Sequence, residues 1–422
     1  MRRSISLAGA AVIAMTLAAC SSGSTTEPTT TPETSPGEAS STTEEPQAGG
    51  SLVIWVDETR EAAVRAAASA FEAETGASVE LVLKNFDEIR PDFIAQVPTG
   101  EGPDLTVGAH DWLGELTANG VVAPIELGDK ADAFEPVAVE AFTYEGQVYG
   151  LPYAIENIAI IRNTALADST PATWDELVAK GEEAGTEYPI LVQVGETGDG
   201  YTLYPLQTSF GAPVFEQAED GSYTSELALG GENGVAFATW LAEQGEAGVL
   251  STSITYDIAV AEFAEGKSPY ILGGPWMLPT FQDAGIEVAI DPIPSAGGRP
   301  AQPFTGVQGF YLNAQSENQL LATDFLVNYM ATVDAQVALY EAGGRTPALV
   351  EAAEQVSSDP IVAGFREVGS DAVPMPSIPE MGSVWAFWGV TEAGIISGQL
   401  EPEAAWNKMV EDIQGAIDAA GS

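Results

Sequence analysis

Two short segments place a carboxylate beside an aromatic ring: Trp55-Val56-Asp57-Glu58 and Gly108-Ala109-His110-Asp111-Trp112. A carboxylate accepts charge-assisted hydrogen bonds, which are about twice as strong as neutral ones. An aromatic face covers apolar surface. Other chemistries have few residues to work with. The chain has 1 histidine and 1 cysteine, His110 and Cys20. A Ser-His-Asp triad would have to use His110, and a zinc site would be nearly all carboxylate. An intramolecular disulfide is impossible. There is no GxxxxGK followed by Ser or Thr, no GxSxG, no HExxH and no EF-hand loop. Gly230 to Gly234 is a glycine cluster without dinucleotide spacing. No metal and no cofactor are expected.

The surrounding elements explain why the two segments would meet. Ser51 to Val56 is a short apolar run with β-branched residues, read as a buried strand. Glu58 to Glu74 is Ala-rich with helical spacing and ends at Gly76. Val79 to Leu83 reads as a strand, Asp87 to Val97 as a helix and Asp104 to Val107 as a third strand. This alternation predicts an α/β unit with a parallel sheet. Open α/β sheets bind ligands beyond the carboxyl ends of their strands. Both acid–aromatic segments fall at such ends. A second α/β region follows the apolar run Ile158 to Ile161. Its strand at 268–276 ends in a Gly-rich turn presenting Trp276, and Val307 to Leu312 is another strand. Helices are expected over 319–329, 334–342, 350–357 and 401–420.

The length of 422 residues suggests about two or three domains. Hydrophobic residues are 45%, enough for a substantial core, and 62 acidic against 14 basic residues leave a net charge of −48. Such a balance excludes a nucleic-acid binder, which needs a basic face. It also excludes electrostatic docking on an anionic membrane.

Residues 1–20 have the form of an export signal: Arg2 and Arg3, then the apolar run Ser4 to Leu17, too short to span a bilayer permanently. The run ends in Leu17-Ala18-Ala19-Cys20, which resembles a lipoprotein lipobox, so a diacylglycerol thioether is expected on Cys20. Residues 21–50 hold 6 Ser, 8 Thr, 5 Glu and 4 Pro and no Leu, Ile, Val or aromatic residue. Such a stretch buries too little surface to offset its ordering entropy and reads as a disordered tether.

Five stretches of residues 51–422 resemble the maltose and maltodextrin-binding proteins of ABC importers, the sugar-binding branch of extracellular solute-binding proteins. They are Leu52 to Trp55; Gly102-Pro103-Asp104 with Ala109 to Trp112; Pro152 to Asn163; Glu262 to Gly266 with Gly274-Pro275-Trp276; and Ile378 to Met381 with Val384-Trp385 and Trp388-Gly389. The resemblance implies a two-lobed, periplasmic-binding-protein-like α/β fold with the ligand cleft between the lobes. The N-lobe would be 51–154 and 305–347, the C-lobe 155–304 and 348–422. A lipid-anchored, monomeric protein on the outer face of the cell membrane would capture a gluco-oligosaccharide and deliver it to permease subunits.

A sugar carries hydroxyls at its edge and C–H groups on its faces, so it needs acids and aromatics interleaved. Carried over, Asp111 and the crossover Glu156 are hydroxyl acceptors. Trp276 and Trp385 are the stacking rings, and Trp112 and Trp388 further aromatic candidates. Asp57, Glu58 and Arg60 lie in the first strand-end loop, where relatives place an acid and a base. Asp199 and Tyr201 resemble an acid-x-Tyr pair, and Arg345 lies near a crossing. Ala386 and Gly389 stand where some maltose binders have Tyr and Arg. His110 reads as structural, and Trp55, Trp174, Trp240 and Trp406 as packing. Two alternatives remain open. A secreted glycosidase also lines its cleft with acids and aromatics, two carboxylates standing roughly 5–9.5 Å apart. A solute-binding protein for a peptide, polyamine or metal is the other.

Overall fold

A computed structural model describes residues 49–218 and 222–420. The expected leader with Cys20, and the tether as far as residue 48, lie outside them. Along the chain the strands that build the two main sheets are β1 (Ser51–Val56), β2 (Ser78–Leu83), β3 (Leu105–Ala109), β4 (Gly150–Glu156), β5 (Ala159–Asn163), β6 (Leu191–Val192), β7 (Tyr270–Gly273), β8 (Val288–Asp291), β9 (Phe304–Asn313) and β10 (Thr346–Pro347). The first sheet runs β10-β4-β9-β3-β1-β2, with the short strands Val122–Ala123 and Val373–Pro374 also on β9. The second runs β8-β5-β7-β6.

Local chemistry sets the element ends. The Asp57 carboxylate accepts from the Thr59 N–H at 2.8 Å and starts the helix Glu58–Thr75, and Gly76 ends it with φ 72°. The helix Gly200–Phe210 is started by Asp199, whose carboxylate accepts from the Thr202 N–H and hydroxyl. β1 pairs in parallel with β2 and β3, as the strand–helix alternation predicts. The sheet as a whole is mixed. β9 is antiparallel to both β3 and β4, because the chain re-enters the sheet from the other lobe rather than through a crossover helix.

Each sheet has its own apolar core, and the fold is two-lobed. Ile54, Phe71, Val107 and Phe310 lie in the first core, and Ile160, Leu203, Leu272 and Trp406 in the second. β4 and β9 join them. β9 begins at Phe304, stacked on Tyr204 at 3.6 Å in the second core, and reaches Phe310 in the first. β4 runs the opposite way, with Gly306 opposite Glu156. Past residue 347, Ala348, Leu349 and Ala352 pack in the first core and Phe365 beside the second sheet. His110 ties the passages together. Its Nδ1 accepts from the Val307 N–H at 3.0 Å and its Nε2 lies 3.1 Å from the Met375 carbonyl. Among the described residues no helix is long and apolar enough to cross a membrane.

The helix Trp388–Ile396 carries an acid into the second core. Glu392 is 0% exposed and neither carboxylate oxygen has a hydrogen-bond partner. Burial pushes its pKa well above the ordinary 4.5, and Asp199 adds to the effect. A raised folded pKa gives stability at acid pH that is lost as pH rises through that value. Glu392→Leu is therefore expected to stabilise the protein by about 1–3 kcal/mol at pH 8, with a smaller gain at pH 5. Urea denaturation at the two pH values checks this; an equal or smaller gain at pH 8 would contradict the buried, unpaired carboxyl.

Candidate functional site

The ends of β1 and β4, the middle of β9 and the turn after the helix Val333–Gly343 bring six side chains into a closed hydrogen-bonded ring. Asp57 pairs with Arg60, three residues on along the first helix. Arg60 Nη2 donates to Gln308 Oε1 at 2.9 Å, and Gln308 Nε2 donates to Glu156 Oε1 at 2.8 Å. Arg345 Nε donates to Glu156 Oε2 at 2.6 Å. Arg345 Nη1 reaches the Thr59 hydroxyl at 3.2 Å, which returns to Asp57 at 2.7 Å. Arg60 Nε also donates to the Tyr153 hydroxyl. Asp57, Arg60, Glu156, Gln308 and Arg345 are all buried. Two carboxylates and two guanidiniums balance, so the ring is neutral in a chain of charge −48.

The second lobe supplies aromatic faces against this wall. The Arg345 guanidinium lies 5.2 Å from the centre of the half-buried Trp276 ring. Gly344 makes that approach possible. It has φ 70°, and a Cβ there would fall 2.3 Å from the Pro275 carbonyl oxygen. The Tyr201 ring stands 6.2 Å from that of Trp276, and its buried hydroxyl has no hydrogen-bond partner. Gly306 leaves room for it, since a Cβ there would lie 3.2 Å from the Tyr201 oxygen and 3.0 Å from Glu156 Cγ. Farther along, Trp385 Nε1 donates to Asp111 Oδ2 at 2.9 Å.

Burial dominates the electrostatics. It lowers the Arg60 pKa to about 10, with Tyr153 opposing and Arg345 assisting. For Arg345 burial also disfavours the charge, but Glu156 and Tyr153 outweigh it and the pKa rises. Tyr201 is raised well above 10 by burial and then by Glu156, Asp111 and Asp199, with Arg345 opposing, so its oxygen stays protonated as a donor.

The structure therefore brings Asp57, Arg60, Glu156, Arg345, Trp276 and Tyr201 together, and joins Asp111 to Trp385. Three positions differ from the roles the resemblance implies. Trp388 is fully buried behind Trp385, with ring centres 5.4 Å apart, and its N–H is held by Gln207, so it supports a ring rather than offering one. Trp112 is buried against Phe86, 5.0 Å between centres, and Gly108. Asp199 has both oxygens engaged, by Thr202 and by Gln193. Glu58 is exposed. Sequence reading passed over Gln308, Tyr153, Thr59 and Phe86, whose ring lies 4.8 Å from the Arg60 guanidinium carbon. These are neutral residues with no motif of their own. Strand register reveals Gln308 and Tyr153, and the packing of the helix starts reveals Thr59 and Phe86.

Comparison with known proteins follows the same outline. The model for the family described as bacterial extracellular solute-binding protein matches residues 66–364. A solved structure described as Thermus thermophilus maltotriose binding protein bound with maltotriose superposes with a TM-score of 0.79 and 33% identity, covering 87% of this chain and 100% of that one. A maltotriose-binding protein of Pyrococcus abyssi is 28% identical, over 73% of this chain and 68% of the relative. A galactooligosaccharide-binding protein of Bacillus subtilis is 26% identical, over 91% and 93%. The periplasmic-binding-protein-like fold, with its cleft between two lobes, is shared with the solved structure.

His110 and Asp111 titrate in opposite senses. Burial lowers the imidazole to about 4, so the folded protein refuses a proton that the unfolded chain takes up near 6.5; this term raises stability as pH rises from about 4 to 6.5. Burial lifts the Asp111 carboxyl from 3.8 to about 6, opposed by Arg90 and the Trp385 N–H, and this term lowers stability as pH rises over that interval. Asp111→Asn removes only the second. Relative to the parent, the variant is expected to gain stability steadily from pH 4 to 6 and hold that gain above it. Urea midpoints at pH 4.5 and 7 measure this, and a constant difference would refute it.

Proposed function

The chain belongs to the bacterial extracellular solute-binding protein family, and on that premise we propose that it binds a malto-oligosaccharide between its lobes and delivers it to the membrane subunits of an ABC importer. The observation that carries the reading is the neutral ring facing the Trp276 and Tyr201 rings. A pyranose offers hydroxyls at its edge and C–H faces above and below. Glu156 and Asp111 accept from hydroxyls, Tyr201 donates to or accepts from one, and Trp276 and Trp385 cover the faces. Balanced charge in the ring favours an uncharged ligand over a polyamine or a metal ion, even in so acidic a chain. The maltotriose named with the Thermus structure and with the Pyrococcus relative supports the glucose series.

Binding works through closure. The acids come from the first lobe and most of the rings from the second, so the contacts are complete only when the lobes shut. The ligand shifts the population toward the shut form by its differential affinity for it. Trp385 holds Asp111 and Arg345 covers Trp276, each contact running from one lobe to the other. A sugar seated there would replace these contacts with its own hydroxyls and faces. The protein binds and releases; it does no chemistry on the sugar. The lipid on Cys20 and the tether would hold the two lobes near the permease, and the protein acts as a monomer.

Titration calorimetry with maltotriose is expected to give a dissociation constant on the order of micromolar, about −8 kcal/mol. Absence of heat with maltotriose and its longer homologues overturns the reading, and heat only with galacto-oligosaccharides reassigns the sugar. Trp276→Ala and Trp385→Ala should each weaken binding by about tenfold or more with circular dichroism unchanged. Unchanged affinity in both moves the site elsewhere. Chromatography after hours of incubation should return the maltotriose intact; released glucose would make the protein a glycosidase.

A further inference from the structure

We infer that Gln308 is a positioning residue of this site, orienting Glu156 and Arg60 toward the ligand through the two ends of one amide. The inference rests on the sugar-binding reading and deepens it. Gln308 is buried on β9, in the middle of the strand that joins the lobes. Its two neighbours in the ring require opposite things. The Arg60 guanidinium needs an acceptor and finds Gln308 Oε1 at 2.9 Å; the Glu156 carboxylate needs a donor and finds Gln308 Nε2 at 2.8 Å. A primary amide meets both needs without adding charge. A carboxylate would repel Glu156, and an ammonium would repel Arg60.

The backbone is shaped around this residue. Pairing between β9 and β4 steps from Gln308 with Ala154 to Gly309 with Pro152, so Tyr153 is an extra residue in the ladder. Such bulges re-aim side chains. Here the extra residue sends its hydroxyl to Arg60, beside the Gln308 amide. With Gln308 on Oε1 and Arg345 on Oε2, both Glu156 oxygens are held in place, 2.8 and 2.6 Å from their donors. The remaining lone pairs of Glu156 then have fixed directions. Gly306 brings Glu156 and the unpartnered Tyr201 hydroxyl against one small residue, so Glu156 and Tyr201 border the same space. Gln308 thus settles where Glu156 offers its acceptors without touching the ligand itself.

The test compares Gln308→Met and Gln308→Glu with the parent protein by maltotriose calorimetry at pH 5.5 and pH 8, each variant read as a ratio to the parent at the same pH. Gln308→Met removes both hydrogen bonds and is expected to weaken binding about tenfold or more at both pH values. Gln308→Glu should weaken it about tenfold or more at pH 8, where a third carboxylate crowds Glu156. At pH 5.5 the protonated carboxyl has one donor and one acceptor, as the amide does, and affinity should return to within about threefold of the parent. A role in packing alone predicts instead that Gln308→Met, which keeps the length and shape of the side chain, binds within about threefold of the parent at both pH values. A ratio that stays the same for Gln308→Glu at the two pH values, or parent-like affinity in both variants, overturns the inference. So does loss of the fold in Gln308→Glu at pH 5.5, where both hydrogen bonds can form. If Gln308→Met does not fold, Gln308→Glu decides. Should the parent give no heat with maltotriose, the sugar reading fails by itself. The inference then stands or falls on sugar-free urea stability, where Gln308→Glu relative to the parent must be more stable at pH 5.5 than at pH 8.

Discussion

Two guanidiniums and two carboxylates are removed from water at the junction of the lobes, and the site depends on how they are satisfied. A buried ion left without a partner destabilises a protein by several kcal/mol, and even a pair gains little unless its remaining donors and acceptors are also met. Arg60 meets this condition through Asp57, Tyr153 and Gln308, and Arg345 through Glu156 and Thr59. The partners come from β1 and its helix, β4, β9 and the turn before β10. No pair of these elements is sufficient alone. The ring therefore fixes the junction of the three chain passages at the same place where it presents acids to the cleft.

The distribution of charge follows from this. The chain carries a net charge of −48, while the ring of the site is balanced. Surface carboxylates act on an arriving ligand weakly through water and salt. The ring acts at contact, in a medium where hydrogen bonds to charged groups are strong. A neutral, hydroxyl-rich solute gains from those bonds without needing to neutralise anything. On the proposed reading the aromatic wall adds a shape criterion, with Trp276 and Trp385 offered to flat apolar faces. Their supports differ. Arg345 packs on Trp276 from the first lobe, whereas Trp388 backs Trp385 from within the second.

Several departures from the sequence reading share one cause. The alternation of strands and helices in residues 51–109 predicts parallel pairing, and β1, β2 and β3 obey it. It contains no information about β4 and β9, which enter the same sheet from far along the chain and run antiparallel. Asp199 sits before Gly200-Tyr201 as an acid-x-Tyr pair would, yet the helix that begins there takes its carboxylate as a cap. Trp388 stands in the right stretch for a stacking ring, but helical spacing from Trp385 turns it toward Gln207 and Tyr204. In each case a residue type suited to a ligand was claimed first by a nearby backbone or core.

What the sequence determined by itself is the inventory: an α/β chain with apolar strands, one imidazole, no metal cluster motif, and acids and tryptophans gathered at strand ends. These follow from composition and local spacing, which act over a few residues. Tertiary structure decided which of them meet. Gln308, Thr59 and Tyr153 have no signature in the chain, because a neutral side chain acquires its role only from the charges placed beside it. These partners lie up to 286 positions apart, as between Thr59 and Arg345, and the pairing of β4 with β9 and the turn at Gly344 bring them within hydrogen-bond distance.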